Sequence, residues 1–193
     1  AYGPDAKENF PEIEEFVRFS LHSYSNPIIT IEDQENEKRI EDFIFADPQV
    51  FDVFSFQFLR GDPKTALNDP FSVVITESTA HQLFGQHNPL GKTIHLRKEY
   101  PFRVTGVIED VRQFHVDINA IGSFSSLAKL SGKDDFLHSY GSWNYATYFL
   151  LKEGVHPDRM GEKLNTFFEE IYRKVYDTDR EMDLHLVPLD EIY

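Results

Sequence analysis

No cysteine occurs among the 193 residues, which removes disulfides, thiolate metal sites and cysteine nucleophiles together. The compartment stays open, because a thiol-free chain suits an oxidising space and many cytosolic domains lack cysteine as well. Basic residues are scarce. Nineteen Lys and Arg stand against 33 Asp and Glu, a formal charge of −14, and that field repels the phosphates of nucleic acid and of anionic headgroups. No run of five or more basic residues offsets it, which argues against nucleic-acid binding. A long hydrophobic run is also missing. The longest apolar stretch, "YATYFLL" at 145–151, falls far short of the roughly 18–20 residues that span a bilayer. The opening "AYGPDAKENF" lacks the basic-then-apolar order of a signal peptide. For an exported or membrane-attached protein, the anchoring parts are therefore expected outside these residues.

Aromatic residues, by contrast, are abundant. Eighteen Phe and nine Tyr, within a hydrophobic content of 40%, mark a folded chain rather than a solvated one. The length suits one large domain or two small lobes, each able to bury a core.

Alternation places Val17, Phe19 and Leu21 on one face of a strand within "PEIEEFVRFSLHSY". "PIITI" and "RIEDFIFAD" read as a hairpin around the polar "EDQENEK". A short helix opened by Pro48 and a Phe-rich strand follow, closed by Gly61-Asp62-Pro63. "SVVIT" at 72–76 is a short apolar strand, and "ESTAHQLF" at 77–84 a helix ended by Gly85. "KTIHLRKEYPFRVTGVIED" folds into two antiparallel strands about "KEYP", with Gly106 a bulge or close-approach point. "FHVDINAIGSFSSLAKL" is a strand running into a helix, and the polar "SGKDDFLHSYGS" a loop between lobes. "WNYATYFLLKEG" is a strand. Helical spacing of Met160, Leu164, Phe167/Phe168, Ile171 and Val175 predicts the longest helix from Pro157 to about Tyr176, and "DLHLVPLDEIY" starts as a strand that stops at Pro188, a βαβ-like ending.

Several stretches touch on chemistry. "LFGQHNPLGKTIHL" ends in Gly91-Lys92-Thr93, as a Walker A loop does, but Gly85 and Gly91 enclose five residues where the phosphate cradle needs four. A helix precedes and a strand follows, the reverse of a P-loop, and Pro89 removes an N–H donor. The stretch reads as a helix cap and a turn. His115 with Asp117, and Asp134, Asp135 with His138, are the candidate metal-ligand groups. With no HExxH or EF-hand pattern, each histidine reads as a solvated side chain. No G-x-S-x-G elbow occurs. Six phenylalanines between Phe43 and Phe58 read as core, each burying on the order of 150–250 Å², with an aromatic ligand groove near Phe51–Phe58 as the other reading. Among 33 acidic residues some carboxylate pair is inevitable, so a hydrolase reading gains nothing from one.

In order and spacing, "ADPQVFDVFSFQFLRGDPKTAL", "SVVITESTAHQLFGQHNPLGKTIHL" and "FRVTGVIEDV" resemble the MacB-like periplasmic core domain of FtsX-like ABC transporter permeases. "PEIEEFVR" and "LVPLDEIY" resemble the flanks that adjoin transmembrane helices in that family. The resemblance implies an α+β fold of two lobes, a porter-like βαβ-containing lobe from residues 1–71 and 141–193, and an inserted smaller α/β lobe, 72–140. It implies a periplasmic domain of an inner-membrane protein, with a helix before Ala1 and more after Tyr193. It also implies a domain that is not catalytic and carries no cofactor or metal. Cytoplasmic ATP hydrolysis would drive its conformational change, termed mechanotransmission, for export or extrusion of a peptide, lipoprotein or hydrophobic small molecule. The implied partners are a cytoplasmic ATP-binding subunit or domain, a second permease copy and a periplasmic adaptor protein. No motif-linked site residue carries over. The alternative reading is a membrane-anchored sensory or solute-binding module.

Overall fold

Three short segments, "FIFA", "SVVIT" and "AIGS", form the centre of the sheet. In the computed structural model, residues 2–21, 26–31, 36–112, 114–132, 137, 145–177 and 184–192 are described. Strands β4 (Phe43–Ala46), β6 (Ser72–Thr76) and β9 (Ala120–Ser123) are buried at every position. Burial on both faces explains why these strands are short continuous runs rather than alternating ones. Phe43, Phe45, Val73 and Ile75 enter one core cluster, while Ile44, Ala46, Val74 and Ile121 enter the other.

The remaining strands are β1 (Ile13–Ser20), β2 (Ile28–Ile31), β3 (Glu37–Arg39), β5 (Phe58–Gly61), β7 (Thr93–Leu96), β8 (Tyr100–Ile108) and β10 (Tyr145–Leu151). The sheet runs β10-β1-β4-β9-β6-β8-β7-β2-β3, with β5 on β8. It is mixed: β4–β9 and β6–β8 are parallel, and the other pairs antiparallel. The helices are α1 (Tyr2–Asn9), α2 (Val50–Val53), α3 (Glu77–Phe84), α4 (Ser126–Ser131) and α5 (Pro157–Tyr176). The expected α+β class with a large mixed sheet is what forms. Among the described residues no helix is long and apolar enough to cross a membrane.

Helix α5 begins with Pro157 in its first turn, where a missing N–H costs nothing. Met160, Leu164 and Phe168, four apart, bury against Ala6 of α1 and Ile13 of β1 as a third cluster. At the other side, the Thr76 hydroxyl accepts from Thr79 N–H and caps α3, and Gly85 closes it with φ 60°.

Two readings need correction. "RIEDFIFAD" is not one hairpin arm, because β2 pairs with β3, Ile28↔Arg39 to Thr30↔Glu37. Asp42, at φ 49°, then turns the chain so that the apolar "FIFA" enters the sheet centre. Among the described residues the C-terminal βαβ does not close either, since Leu184–Pro188 lies in no helix or ladder. There Leu184 N–H donates to the Asn165 side chain at 2.8 Å, and Leu186 packs over Gly161.

Gly106 fulfils its expectation twice. The β6–β8 register slips between Val73↔Val104 and Val74↔Gly106, and a Cβ at Gly106 would lie 2.7 Å from the Phe58 ring. The neighbouring hairpin turns two residues earlier than "KEYP", through Arg97 (φ 54°) and Lys98 (φ 63°), with Glu99 N–H donating to Leu96 C=O at 3.1 Å. Two successive left-handed residues make a type I′ turn, which favours Asn-Gly. Replacing Arg97-Lys98 by Asn-Gly is expected to stabilise the fold by about 1 kcal/mol. The gain should appear as a higher urea midpoint at unchanged slope. The exposed Lys98–Glu37 ion pair lost in the change contributes little.

Candidate functional site: an aromatic junction and its cleft

The Gly-Lys-Thr turn holds no phosphate cradle. Gly91, at φ 78°, donates its N–H to Val104 C=O at 2.8 Å, Lys92 N–H donates to Pro89 C=O at 3.0 Å, and Val104 N–H returns to Lys92 C=O at 2.9 Å. The amides that would have to face phosphate are spent on the entry to β7. This is the cap and turn the spacing predicts.

The phenylalanine run divides its work. Phe43 and Phe45 are fully buried, whereas Phe51, Phe54, Phe56 and Phe58 are partly buried against the second cluster. Phe54 is the hub, with ring centroids 5.1 Å from Phe114 and 5.5 Å from Tyr148. Phe19 of β1 lies 5.1 Å from Tyr148 of β10. Four segments far apart in sequence thus meet in one aromatic junction, on β1, at the end of α2, before β9 and on β10.

His115 sits inside that junction rather than in solvent, a correction to its reading. Its ring lies 4.3 Å from Phe114 and 5.2 Å from Tyr148, and its Nε2 shares a 2.5 Å hydrogen bond with the Tyr148 hydroxyl. The segment is not a strand, which would have put His115 and Asp117 on one face; Asp117 is exposed and acts on Asp42 instead. Burial lowers the His115 pKa from 6.5 and pushes the Tyr148 hydroxyl up to about 12, so a neutral pair is favoured. The depressed histidine pKa gives stability that is present above 6.5 and is lost as pH falls toward the folded value. Urea melts at about pH 7.5 and about pH 5.5 should therefore show a weaker fold in acid. His115→Phe should flatten that difference. An unchanged pH slope in the variant would assign the loss to other groups.

Beside the junction opens a cleft of about 720 Å³, walled by Phe54, Phe56 and Phe114 and bearing Glu77, Glu109, Asp110 and Arg112. Three carboxylates share it, yet Asp110 is committed. It accepts from Ser78 N–H at 2.9 Å and from the Ser78 hydroxyl at 2.5 Å at the start of α3. Those hydrogen bonds hold its carboxyl below the usual range, the opposite of what a general acid at neutral pH needs. Asp134, Asp135 and His138 lie outside the described residues. Among the described residues no three His, Asp or Glu side chains converge on a metal-sized site.

One buried polar feature escaped the sequence. Arg18 of β1 donates from Nε and Nη2 to both carboxylate oxygens of Asp47, each at 2.8 Å, and its backbone N–H reaches Oδ2 at 2.9 Å. Nη1 donates to Leu137 C=O at 3.0 Å, and the guanidinium lies 4.2 Å from the Phe124 ring centroid. With the partners 29 positions apart in the chain, no local pattern announces the pair.

Comparison with known proteins sets this architecture in context. The family described as the MacB-like periplasmic core domain matches residues 2–167. Among solved structures, a domain of a protein designated a permease, from Porphyromonas gingivalis, aligns with a TM-score of 0.72 at 20% identity, covering 98% of this chain and 86% of that one. The periplasmic region of MacB from Actinobacillus actinomycetemcomitans aligns at 0.65 and 19% identity, over 97% and 78% of the two chains. The extracellular domain of the noncanonic ABC-type transporter YknZ from Gram-positive bacteria aligns at 0.65 and 14%, over 97% and 87%. Among curated proteins none matches the sequence. The structural likenesses at these identities establish a shared fold, and the family match covers most of the sequence: the chain belongs to the MacB-like periplasmic core domain family.

Proposed function

We propose that this domain is the non-catalytic extracytoplasmic part of an ABC transporter permease. In this reading it converts ATP hydrolysis at a cytoplasmic subunit or domain into movement that exports or extrudes a substrate. The observation that carries the reading is the family match over residues 2–167. Its partners are the ATP-binding component, reached through the membrane part, a second permease copy and a periplasmic adaptor protein.

Such movement needs at least two bodies. The proposed division sets residues 1–71 and 141–193 against an inserted lobe, 72–140. Two features support relative motion near that division. The flank of α1, β1, β10 and α5 has its own apolar cluster, and the β1–β4 ladder is two residue pairs long, Phe19↔Ala46 and Ser20↔Phe45, with the Arg18–Asp47 pair as a pivot beside it. That narrow seam is the natural hinge, and it refines the division by letting β4 travel with the inserted lobe.

No cysteine of this chain competes with two introduced labels once any thiols elsewhere in the complete permease have been replaced. Gln86, after α3, and Glu162, on α5, are both exposed. In the complete permease assembled with its ATP-binding component, the Gln86→Cys/Glu162→Cys label distance should shift by more than about 2 Å between nucleotide-free and ATP-bound states. Identical distance distributions in the two states would count against coupling. The aromatic cleft favours the second reading, a solute-binding module. There, a saturable rise in melting temperature with an added solute, abolished by Phe56→Asp, is the deciding result.

A further inference from the structure

The two ends of the sheet are finished differently. At one end β3 is three residues long and wholly charged, Glu37, Lys38 and Arg39, an edge that resists an added strand. At the other end β10 runs seven residues, Tyr145–Leu151, with no charge, proline or glycine. Its inner edge pairs with β1 from Ser20↔Tyr145 to Ile13↔Leu151. Among the described residues, its outer edge from Ala146 to Leu151 meets no backbone partner.

The chain returns to this edge as Leu184–Pro188, in no helix or ladder. Between them runs a groove of about 490 Å³, bordered by β10, Val53, Phe54, Val187, Leu189 and Ile192. Val187 is 57% and Ile192 45% exposed. The exposed charges next in the chain to its bordering residues are mainly acidic: Asp52 before Val53, Asp190 and Glu191 between Leu189 and Ile192, and Glu153 and Asp158 beside Lys152 and Arg159 after Leu151 and Pro157.

We propose that the outer edge of β10 and the facing C-terminal segment form a strand-addition site for one extended segment of a partner polypeptide, apolar at alternate positions and basic at its ends. Backbone N–H and C=O groups along an uncovered edge bind extended peptide and little else, because only a strand presents complementary groups at that spacing. Apolar side chains on every second residue would fill the groove, and the basic ends would meet the acidic rim.

The test uses the 193-residue chain and a synthetic peptide of alternating valine and threonine with two lysines at each end. Saturable binding is expected by fluorescence anisotropy, with amide exchange slowed about tenfold or more and confined to the β10 region. The same peptide N-methylated at alternate residues should not bind, and replacing its lysines by glutamate should weaken it. Val187→Glu/Ile192→Glu, both at exposed positions, should weaken binding about tenfold while leaving the urea melt unchanged. Three results would overturn the proposal. One is slow β10 exchange in the free chain that peptide does not alter, meaning the chain's own C-terminal segment covers the edge. Another is protection that rises with the concentration of the chain itself, meaning a second copy occupies it. The last is equal binding of the N-methylated peptide, meaning no backbone pairing.

Discussion

Asp47→Ala is expected to cost about 3–5 kcal/mol of folding stability, the scale of breaking a buried ion pair by removing one partner. Arg18 is 8% exposed and Asp47 6%, so the guanidinium left behind has little access to water. The loss extends beyond charge, because Asp47 Oδ2 also accepts the Arg18 backbone N–H, a buried donor that alanine leaves unpaired. The double replacement Arg18→Met/Asp47→Asn removes the charge and keeps an acceptor for that amide, so it should regain at least half of the lost stability. Urea unfolding of the wild type and the variants measures this directly. A single-variant loss under about 1 kcal/mol would show that water reaches the pair.

Phe45→Ala should cost a similar amount, about 3–5 kcal/mol, through lost burial and the cavity it leaves. Its ring is wholly buried, 5.2 Å from Phe43 and 6.1 Å from Phe102. Gly122, its partner on β9, lacks a side chain for a matching reason: a Cβ there would lie 2.9 Å from the rings of both Phe43 and Phe45. Gly122→Ala should therefore destabilise the wild type, yet cost distinctly less beside Phe45→Ala, where half of that obstruction is gone. A double-mutant cycle reads the coupling. Strict additivity would mean that the strands separate to admit the methyl group rather than press it against the rings.

Where an element's identity depends on near neighbours in the chain, the sequence reading and the structure agree closely. Helix α3 follows from Thr76 as cap and Gly85 as stop, and α5 from Pro157 and the four-residue spacing of Met160, Leu164 and Phe168. "LFGQHNPLGKTI" reads as a turn because its glycines are spaced wrongly and its flanking elements are in the wrong order. The disagreements share another cause. "FIFA" looks like the second arm of a hairpin because it follows one strand closely, but a segment apolar on both faces is drawn to the sheet centre, between β1 and β9. Leu184–Val187 has the composition of a strand but lies in no ladder, since strand pairing depends on a neighbouring edge that its own residues do not specify.

The candidate site was the least legible part. The phenylalanine run signals burial, but which rings would stay half-exposed along a cleft depends on Phe114 and Tyr148, brought in from other segments. His115 reads as a solvated side chain because its hydrogen-bond partner lies 33 residues away. Arg18 and Asp47, ordinary charges in the sequence, become a buried pair only when β1 and the end of β4 are placed side by side. The sequence alone determined the main helix boundaries and the turn at Gly-Lys-Thr, since periodicity and capping act over a few residues, and the α+β class followed from its family resemblance. Strand order, the buried ion pair, the aromatic junction and the uncovered edge of β10 were decided only by tertiary structure, because burial and backbone pairing are properties of neighbours in space.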